Sequence, residues 1–576
     1  MKSLKTIIIL IGICLGFASC DFLDKDPTQT TSGSYFQNAS EATSFVTGVY
    51  SIIQQISFYG NDYLYLSGGD DLEHYGGVGR APITRGLICN NANSSDAAVS
   101  AFWYTLYSGI NRANVFMENI DNVPGMDDAT RKQEKAEVRF LRAFYYFNLV
   151  QCWGDVPFTT SSTQTVGNLS IARTDKETIY NFIVKEMDEA ATDMKSAKEW
   201  SYFPAHVSKS AAWGILARVY MFWAGEHYRD NAATDEAKVK TCFTKADEYA
   251  QKVLNEGHSL APNYWDYFID LCSNQANTTG NESIWEAEFT GNYTTDIRTE
   301  GRIGNVIGIL APDFSSNASI TGKKDPGFCY CFIYCTPKLW DLYAANGDIN
   351  RCNWNIAPFA YTQSVNGKGI DGRLFEKGKL AEVKKQYYSK SYSYGDAAAT
   401  SNIGDREKTT ENVDLARPCG KYRREYEADK KSKNYTSVNF PILRYSDVLL
   451  MVAEAENEIN AAPTQLAYDC INQVRNRAGI SPLRGLSKEA FRKAVKDERA
   501  MELCFEYTRR FDLIRWGEYV EDMNALVSRA QSGADWKLGP SNVYTYFQVS
   551  SAYNYFPIPA SEMAVNKLIT KNNPGW

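Results

Sequence analysis

Histidine is scarce in this chain. Only His74, His206, His227 and His258 occur among 576 residues, and none is spaced from another as paired metal ligands are. Basic runs are also missing. The formal net charge is −7, and no cluster of lysine and arginine offers the patch that phosphate contacts need, so nucleic acid is excluded as a partner. There is no H-E-x-x-H, nucleophile elbow or P-loop. Gly367, Gly369 and Gly372 spell G-x-G-x-x-G, but no clear strand leads into them and no helix follows directly, so no dinucleotide site is implied. A glycosidase needs two carboxylates at a set separation, and the adjacent Asp70 and Asp71 would point apart on an extended chain. The chain therefore reads as a non-enzyme that needs no cofactor and no metal. A calcium site of carboxylates and carbonyls at residues 70–73 would suit the chemistry, but no calcium-loop spacing supports it.

The remaining composition is that of a globular protein large enough for two or more packed units, with 44% hydrophobic and 22% charged residues. Aromatics are plentiful at 13%, including 37 tyrosines and 12 tryptophans. Most belong in cores, but flat rings also serve sugar-binding faces. The 13 cysteines do not form a disulfide framework: Cys14 and Cys20 lie at the N-terminus, and the other 11 are scattered. Cys329, Cys331 and Cys335 in GFCYCFIYC would share one face of a strand. With no histidine beside them they read as small buried hydrophobes or disulfide partners.

The N-terminus indicates a compartment. Lys2 and Lys5 precede an apolar stretch, residues 7–17, too short to span a bilayer, and Ala18 and Ser19 precede Cys20. This is the layout of a bacterial lipoprotein signal over residues 1–19, with Cys20 the acylated first residue of the mature chain and Phe17 where a leucine is often found. Without the leader, 59 basic residues face 68 acidic ones. Residues 20–36 read as an anchor and short polar tether. No later segment is long and apolar enough to cross a membrane.

Amphipathic periodicity predicts helices at 40–57, 96–120, 128–150, 175–197, 208–225, 237–255, 446–460, 464–477 and 487–505. Thr174 and Glu177 have the spacing of a capping box before the fourth. Trp213, Leu216, Ala217 and Tyr220, followed by Ala246, Ala250 and Val253, have the spacing of a tetratricopeptide helix pair. Leu449, Val452 and Ala453 with Ala467, Ile471 and Val474 suggest a second pair. The fold class is thus mainly α, a tetratricopeptide-like superhelical scaffold with long loop-rich insertions and few short strands. Residues 37–257 form an N-terminal helical part, 258–445 a loop-rich part with long loops at 277–300, 315–326 and 361–412, and 446–576 a C-terminal helical part.

Several blocks, in order, resemble the SusD/RagB-like outer-membrane nutrient-binding lipoproteins. They are DFLDKDP at 21–27, RFLRAFYYFNLVQCWGDVP at 139–157, RYSDVLLMVAEAEN at 444–457, INQVRNRAG at 471–479, ERAMELCFEYTRRFDLIRWG at 498–517, YFPIP at 555–559 and NNPGW at 572–576. Tyr507 stands where that family commonly has glycine. Arg142, Tyr146, Trp153, Arg444, Asp447, Glu454, Glu498, Glu502, Arg510 and Asp512 within these blocks read as packing and buried hydrogen-bonding positions, because a buried charge must be paired and arginine pairs bidentately with carboxylates.

The resemblance implies a SusD-like fold and a role in capturing nutrient for a SusC-like TonB-dependent transporter at the outer membrane. Asp21, Asp24 and Asp26 resemble a surface-export signal, which implies a protein facing the cell exterior. Oligosaccharide is the expected ligand; a peptide or other nutrient, or a structural surface repeat protein, are the alternatives. Ligand contacts in the family come from exposed loop aromatics and polar groups. Carried over, this points to Tyr59, Asn61, Tyr63, Tyr65, Asp70, Asp71, His74 and Tyr75 in one segment, and to Tyr293, Trp354, Tyr361, Tyr392 and Tyr394 in another. Trp285 and Trp340 border apolar runs and read as core, and Trp536 is a more remote ligand candidate.

Overall fold

A computed structural model describes residues 35–76, 86–163, 170–229, 235–290, 301–311, 313, 325–357, 418–427, 433–532 and 543–576. The leader, Cys20 and most of the tether lie outside these residues, as do Tyr293, Tyr361, Tyr392, Tyr394, Trp536 and the glycines at 367–372.

Ten helices carry the frame: α1 (Ala39–Tyr50), α2 (Ala97–Asn119), α3 (Asp128–Trp153), α4 (Lys176–Asp193), α5 (Lys209–Arg229), α6 (Glu236–Leu254), α7 (Tyr445–Ile459), α8 (Gln465–Ala478), α9 (Lys488–Leu503) and α10 (Arg509–Trp516). Short polar side chains start most of them. Asp96, Asp127, Asp235, Thr464 and Ser487 each accept a backbone N–H of the first turn, an interaction that contributes about 1 kcal/mol per helix. The predicted capping box at α4 is corrected: the cap is Asp175, which accepts from the Thr178 amide, while Glu177 turns away to take the Trp223 indole N–H and Lys238. Helix α1 also ends earlier than predicted, at Tyr50. Ile52, Ile53 and Phe58 are all buried beyond it, and reaching the core from three directions requires the chain to turn, as the non-helical φ of −123° at Phe58 records.

Helices α2 to α8 pack in succession, each against the next, with α6 against α7 although the loop-rich region separates them in sequence. Leu216, Ala217, Ala246, Ala250 and Val253 are fully buried, as are Leu449, Val452, Ala453, Ala467, Ile471 and Val474. Both predicted pairs therefore exist, and the small residues allow close helix contact. One close approach is at Gly225 of α5, where a Cβ would stand 2.4 Å from Arg515 Cβ of α10.

Shorter helices and three two-stranded antiparallel ladders accompany this frame among the described residues: β1 (Glu73–Tyr75) with β5 (Ile333–Cys335), β2 (Val156–Pro157) with β3 (Arg173–Thr174), and β4 (Ser283–Ala287) with β6 (Phe440–Arg444). The predicted loop at 277–300 is thus a buried strand over 283–287, held because Trp285 packs edge-on against Phe140 and Phe144 of α3. Trp340 is buried, as read from sequence. No helix among the described residues is long and apolar enough to cross a membrane.

Candidate functional site

The charged residues of the recognisable blocks form a buried ionic lattice. Arg444 at the start of α7 is its hub, bonding Glu282 at 2.9 Å, Glu502 at 2.5 Å and both oxygens of Glu506 at 2.8 and 2.9 Å. Arg351, wholly buried, holds Asp348, Glu498 and Glu502. Asp447 is shared by Arg218 and Arg499, Asp512 by Arg499 and Arg515, and Glu454 is gripped by Arg515. Arg142 bridges Asn114 and Glu186, Arg510 reaches Tyr519, and the Tyr146 hydroxyl and Trp153 indole donate to the carbonyls of Thr159 and Pro557. Burial opposes ionisation of Glu502, but Arg477, Arg444 and Arg351 outweigh it and hold that carboxyl well below its ordinary range. These groups are spent mainly on bonding one another.

The segment 59–75 was expected to be an exposed ligand loop; the structure corrects this. Tyr59, Asn61, Tyr63, Tyr65, Asp70, Asp71, His74 and Tyr75 are all at least nine-tenths buried. Tyr59 stacks on Phe440 of β6, with centroids 4.5 Å apart, and Tyr63 meets Tyr59 edge-on at 4.8 Å. The Asn61 amide donates to Asp62. Asp71 forms a two-pronged pair with Arg509 at 2.8 and 2.7 Å and takes Lys338 at 2.6 Å, which overcomes burial and keeps its carboxyl low. Asp70 is pushed up to about 7 by burial and by the Asp71 charge, and it accepts the Leu72 amide. Asp71 is occupied by two cations, and no group of three or more His, Cys, Asp or Glu side chains placed to hold a metal ion occurs among the described residues. His74 and Tyr75 pack on Tyr334 and Phe332. Trp354 is fully buried under the Arg423 guanidinium, 4.1 Å from its ring. None of these rings offers a sugar an open face. The partners that cover them come from 440, 332 and 509, far away in sequence.

A better candidate is a patch built from segments far apart in sequence. Residues 75–76, 301–311, 325–335, 356–357, 418–427 and 433–436 are tied together by isolated bridges, Gly301 to Thr436, Ala311 to Cys329, Tyr334 to Pro418 and Ile356 to Cys419, and by the Gly76 and Tyr330 amides donating to Phe332 and Asn305. The stretches 77–85, 291–300, 314–324, 358–417 and 428–432 therefore start or end on one patch. Across it runs an aromatic row. Phe328 meets Tyr330 edge-on at 4.6 Å, and Tyr330 stacks on Phe332 at 5.0 Å and 11°. Phe328, Tyr330 and Tyr334 are half-buried, whereas the alternating Cys329, Cys331, Ile333 and Cys335 are buried beneath. Lys433 Nζ lies 4.7 Å from the Phe328 ring and 3.5 Å from Asp313, and the Tyr330 hydroxyl is 3.5 Å from Asn434. Half-open rings edged by an ammonium, a carboxylate and an amide can stack on a sugar face and bond its hydroxyls. The signal was present in GFCYCFIYC, whose period-two alternation places aromatics on one side and cysteines on the other. The 11 described cysteines are buried and unbridged, and burial pushes the Cys329 thiol up to about 12. They serve as small hydrophobes.

Comparison with known proteins gives the same picture of the whole chain. A family model described as the SusD family matches residues 281–576, and one described as starch-binding, associating with outer membrane, matches residues 21–221. SusD-like protein P25 of Formosa agariphila is 27% identical over 99% of this chain and 98% of its own length. The starch-binding protein SusD of Bacteroides thetaiotaomicron is 23% identical over 79% of this chain and 75% of its own. A SusD homolog structure from Bacteroides thetaiotaomicron has a TM-score of 0.76 at 26% identity, covering 95% of this chain and 99% of that one. Surface glycan-binding protein A from the same species, in complex with laminarihexaose, has a TM-score of 0.65 at 19% identity over 93% and 99% of the two chains, a likeness of fold.

Proposed function

This chain belongs to the SusD family, and from that premise we propose that it is a cell-surface glycan-binding lipoprotein, anchored through Cys20, that captures oligosaccharide and delivers it to a SusC-like TonB-dependent transporter in the outer membrane. The observation that carries the reading is the half-open row Phe328, Tyr330 and Tyr334. Lys433, Asp313 and Asn434 supply the polar edge. Tyr293 and Tyr361 are proposed as further contacts, since the segments that carry them are rooted at Gly301 and Ile356 of the same patch. Support for the ligand class comes from relatives named for starch and structures named for laminarin and glycan. Binding rather than catalysis fits the buried lattice, whose carboxylates are committed to arginines.

The test is retention on glycan affinity gels of residues 21–576. Tyr330→Ala and Phe328→Ala should each weaken retention about fivefold to tenfold, the share of binding free energy a well-placed ring contributes, with the melting temperature nearly unchanged. If both variants are retained like the parent on every glycan the parent binds, the aromatic row is not the site.

A further inference from the structure

Away from the aromatic patch, a cavity of about 250 Å³ opens between α2, residues 157–163 and the short C-terminal helix Ala560–Val565. Its walls come from parts of the chain about 400 residues apart, and they are tied together: the Asn566 amide donates to the Ile171 carbonyl at 2.9 Å, a sequence separation of 395. Tyr107 forms one side, its hydroxyl fixed to the Pro157 carbonyl at 2.7 Å. Tyr104, on the next exposed position of α2, is 42% exposed, an unusual placement for a large ring in a protein that buries most of its aromatics. Val565 opposite is 59% exposed.

The polar groups in this cleft have spare capacity. Asn111 Oδ1 accepts the Thr163 amide at 2.8 Å, and the Asn111 amide group bonds nothing among the described residues. Glu562 Oε1 accepts the Asn566 amide at 3.1 Å, and its second carboxylate oxygen bonds nothing there either. One oriented donor, one oriented acceptor and an aromatic wall thus line a space sized for a single ring rather than a chain. The half of each side chain that is already bonded fixes the half that is not, so little ordering entropy remains to be lost on binding. A hydroxyl pair on a sugar can accept from Asn111 and donate to Glu562 while a C–H face rests on Tyr104.

We propose that this cleft is a second carbohydrate subsite, specific for one neutral sugar ring, with Tyr104 as the stacking platform and Asn111 and Glu562 as the hydroxyl readers. It shares with the proposed function only the class of ligand, and none of its residues. A sugar held here would add a second point of attachment for a branched or long glycan, and two points on one ligand raise retention beyond either alone.

Saturation-transfer difference NMR on residues 21–576, with glucose, galactose, mannose and N-acetylglucosamine as probes, tests the subsite. Four proteins are compared: the parent, Tyr104→Ala, Glu562→Gln and the aromatic-patch variant Tyr330→Ala. All substituted side chains are at least partly exposed, so folding is preserved. At least one sugar should give a signal that falls about fivefold in Tyr104→Ala and in Glu562→Gln, and persists in Tyr330→Ala. No signal from any probe on the parent overturns the subsite. Signals lost in Tyr330→Ala and kept in Tyr104→Ala also overturn it, while supporting the aromatic patch. Unchanged sugar signals combined with weaker co-purification of the transporter in Tyr104→Ala would make the cleft a protein contact, which likewise overturns it.

Discussion

Arg444→Met puts the structural role of the family blocks to a direct test. Methionine keeps much of the side-chain volume and removes the charge and every hydrogen bond. Arg444 is 1% exposed and also donates to the Glu502 carbonyl at 2.7 Å. Once it is gone, Glu506 keeps one cation, Lys421 at 2.6 Å, Glu282 keeps Arg477 at 2.9 Å and the Ala261 amide at 2.8 Å, and Glu502 retains Arg351 and Arg477. Three buried carboxylates then share one cation fewer. Removing one partner of a buried ion pair typically costs about 3–5 kcal/mol, because the remaining charge stays desolvated. Glu506 loses most, so neutralising it should help: Arg444→Met with Glu506→Gln is expected to recover about 1–2 kcal/mol of the loss, a coupling outside the range of additivity for independent sites. The assay is urea denaturation followed by circular dichroism, with glycan retention measured in parallel below the transition. Retention per folded molecule should be unchanged, since Arg444 lies in the frame. A loss smaller than about 1 kcal/mol, or no recovery in the double variant, would refute the lattice as a stability determinant.

Two other measurements address the core and the anchor. Glu286 on β4 is fully buried, and burial pushes its carboxyl up to about 7 against the lowering hydrogen bonds from Ser283 and Asn439. The folded form therefore binds the proton more tightly than the unfolded chain, so its contribution is fully present below about pH 4.5 and is lost as pH rises to about 7, a decline of about 3 kcal/mol. Glu286→Gln should flatten this part of the stability profile between pH 5 and pH 8; an unchanged slope would show that Glu286 does not set it. Cys20→Ala should move the protein from the membrane to the soluble fraction, and a variant that still sediments with membranes would rule out lipidation at that residue.

Much of the frame was legible in the order of residues. Helices α2 to α9 appear where the spacing of apolar side chains places them, because helical periodicity is a local property that each segment carries within itself. The Ala-rich pairs were equally readable, since small side chains are a direct condition for close packing. Tyr507 is an instructive exception. It occupies a left-handed conformation with φ of 60°, which accounts for the glycine common at that place in the family. Here the ring is buried and stacks on Phe440, so packing holds a backbone conformation the residue would otherwise avoid.

What the tertiary structure alone decided was which polar and aromatic residues face water. Residues 59–75 have the composition of a binding loop, yet Asp71 meets Arg509 across 438 residues and Tyr59 meets Phe440, and both end in the core. The half-open rings at 328–334 lie in a cysteine-rich stretch, and Tyr104 sits on a helix whose Phe102, Trp103 and Phe116 are core. A helix or a cap is settled by neighbours within a few positions, so its pattern is written in the chain. Exposure is settled by whatever distant segment packs on top, and no local pattern records that. For this protein the scaffold and the family were readable in the sequence, while the faces left open to solvent emerged only once the chain had closed on itself.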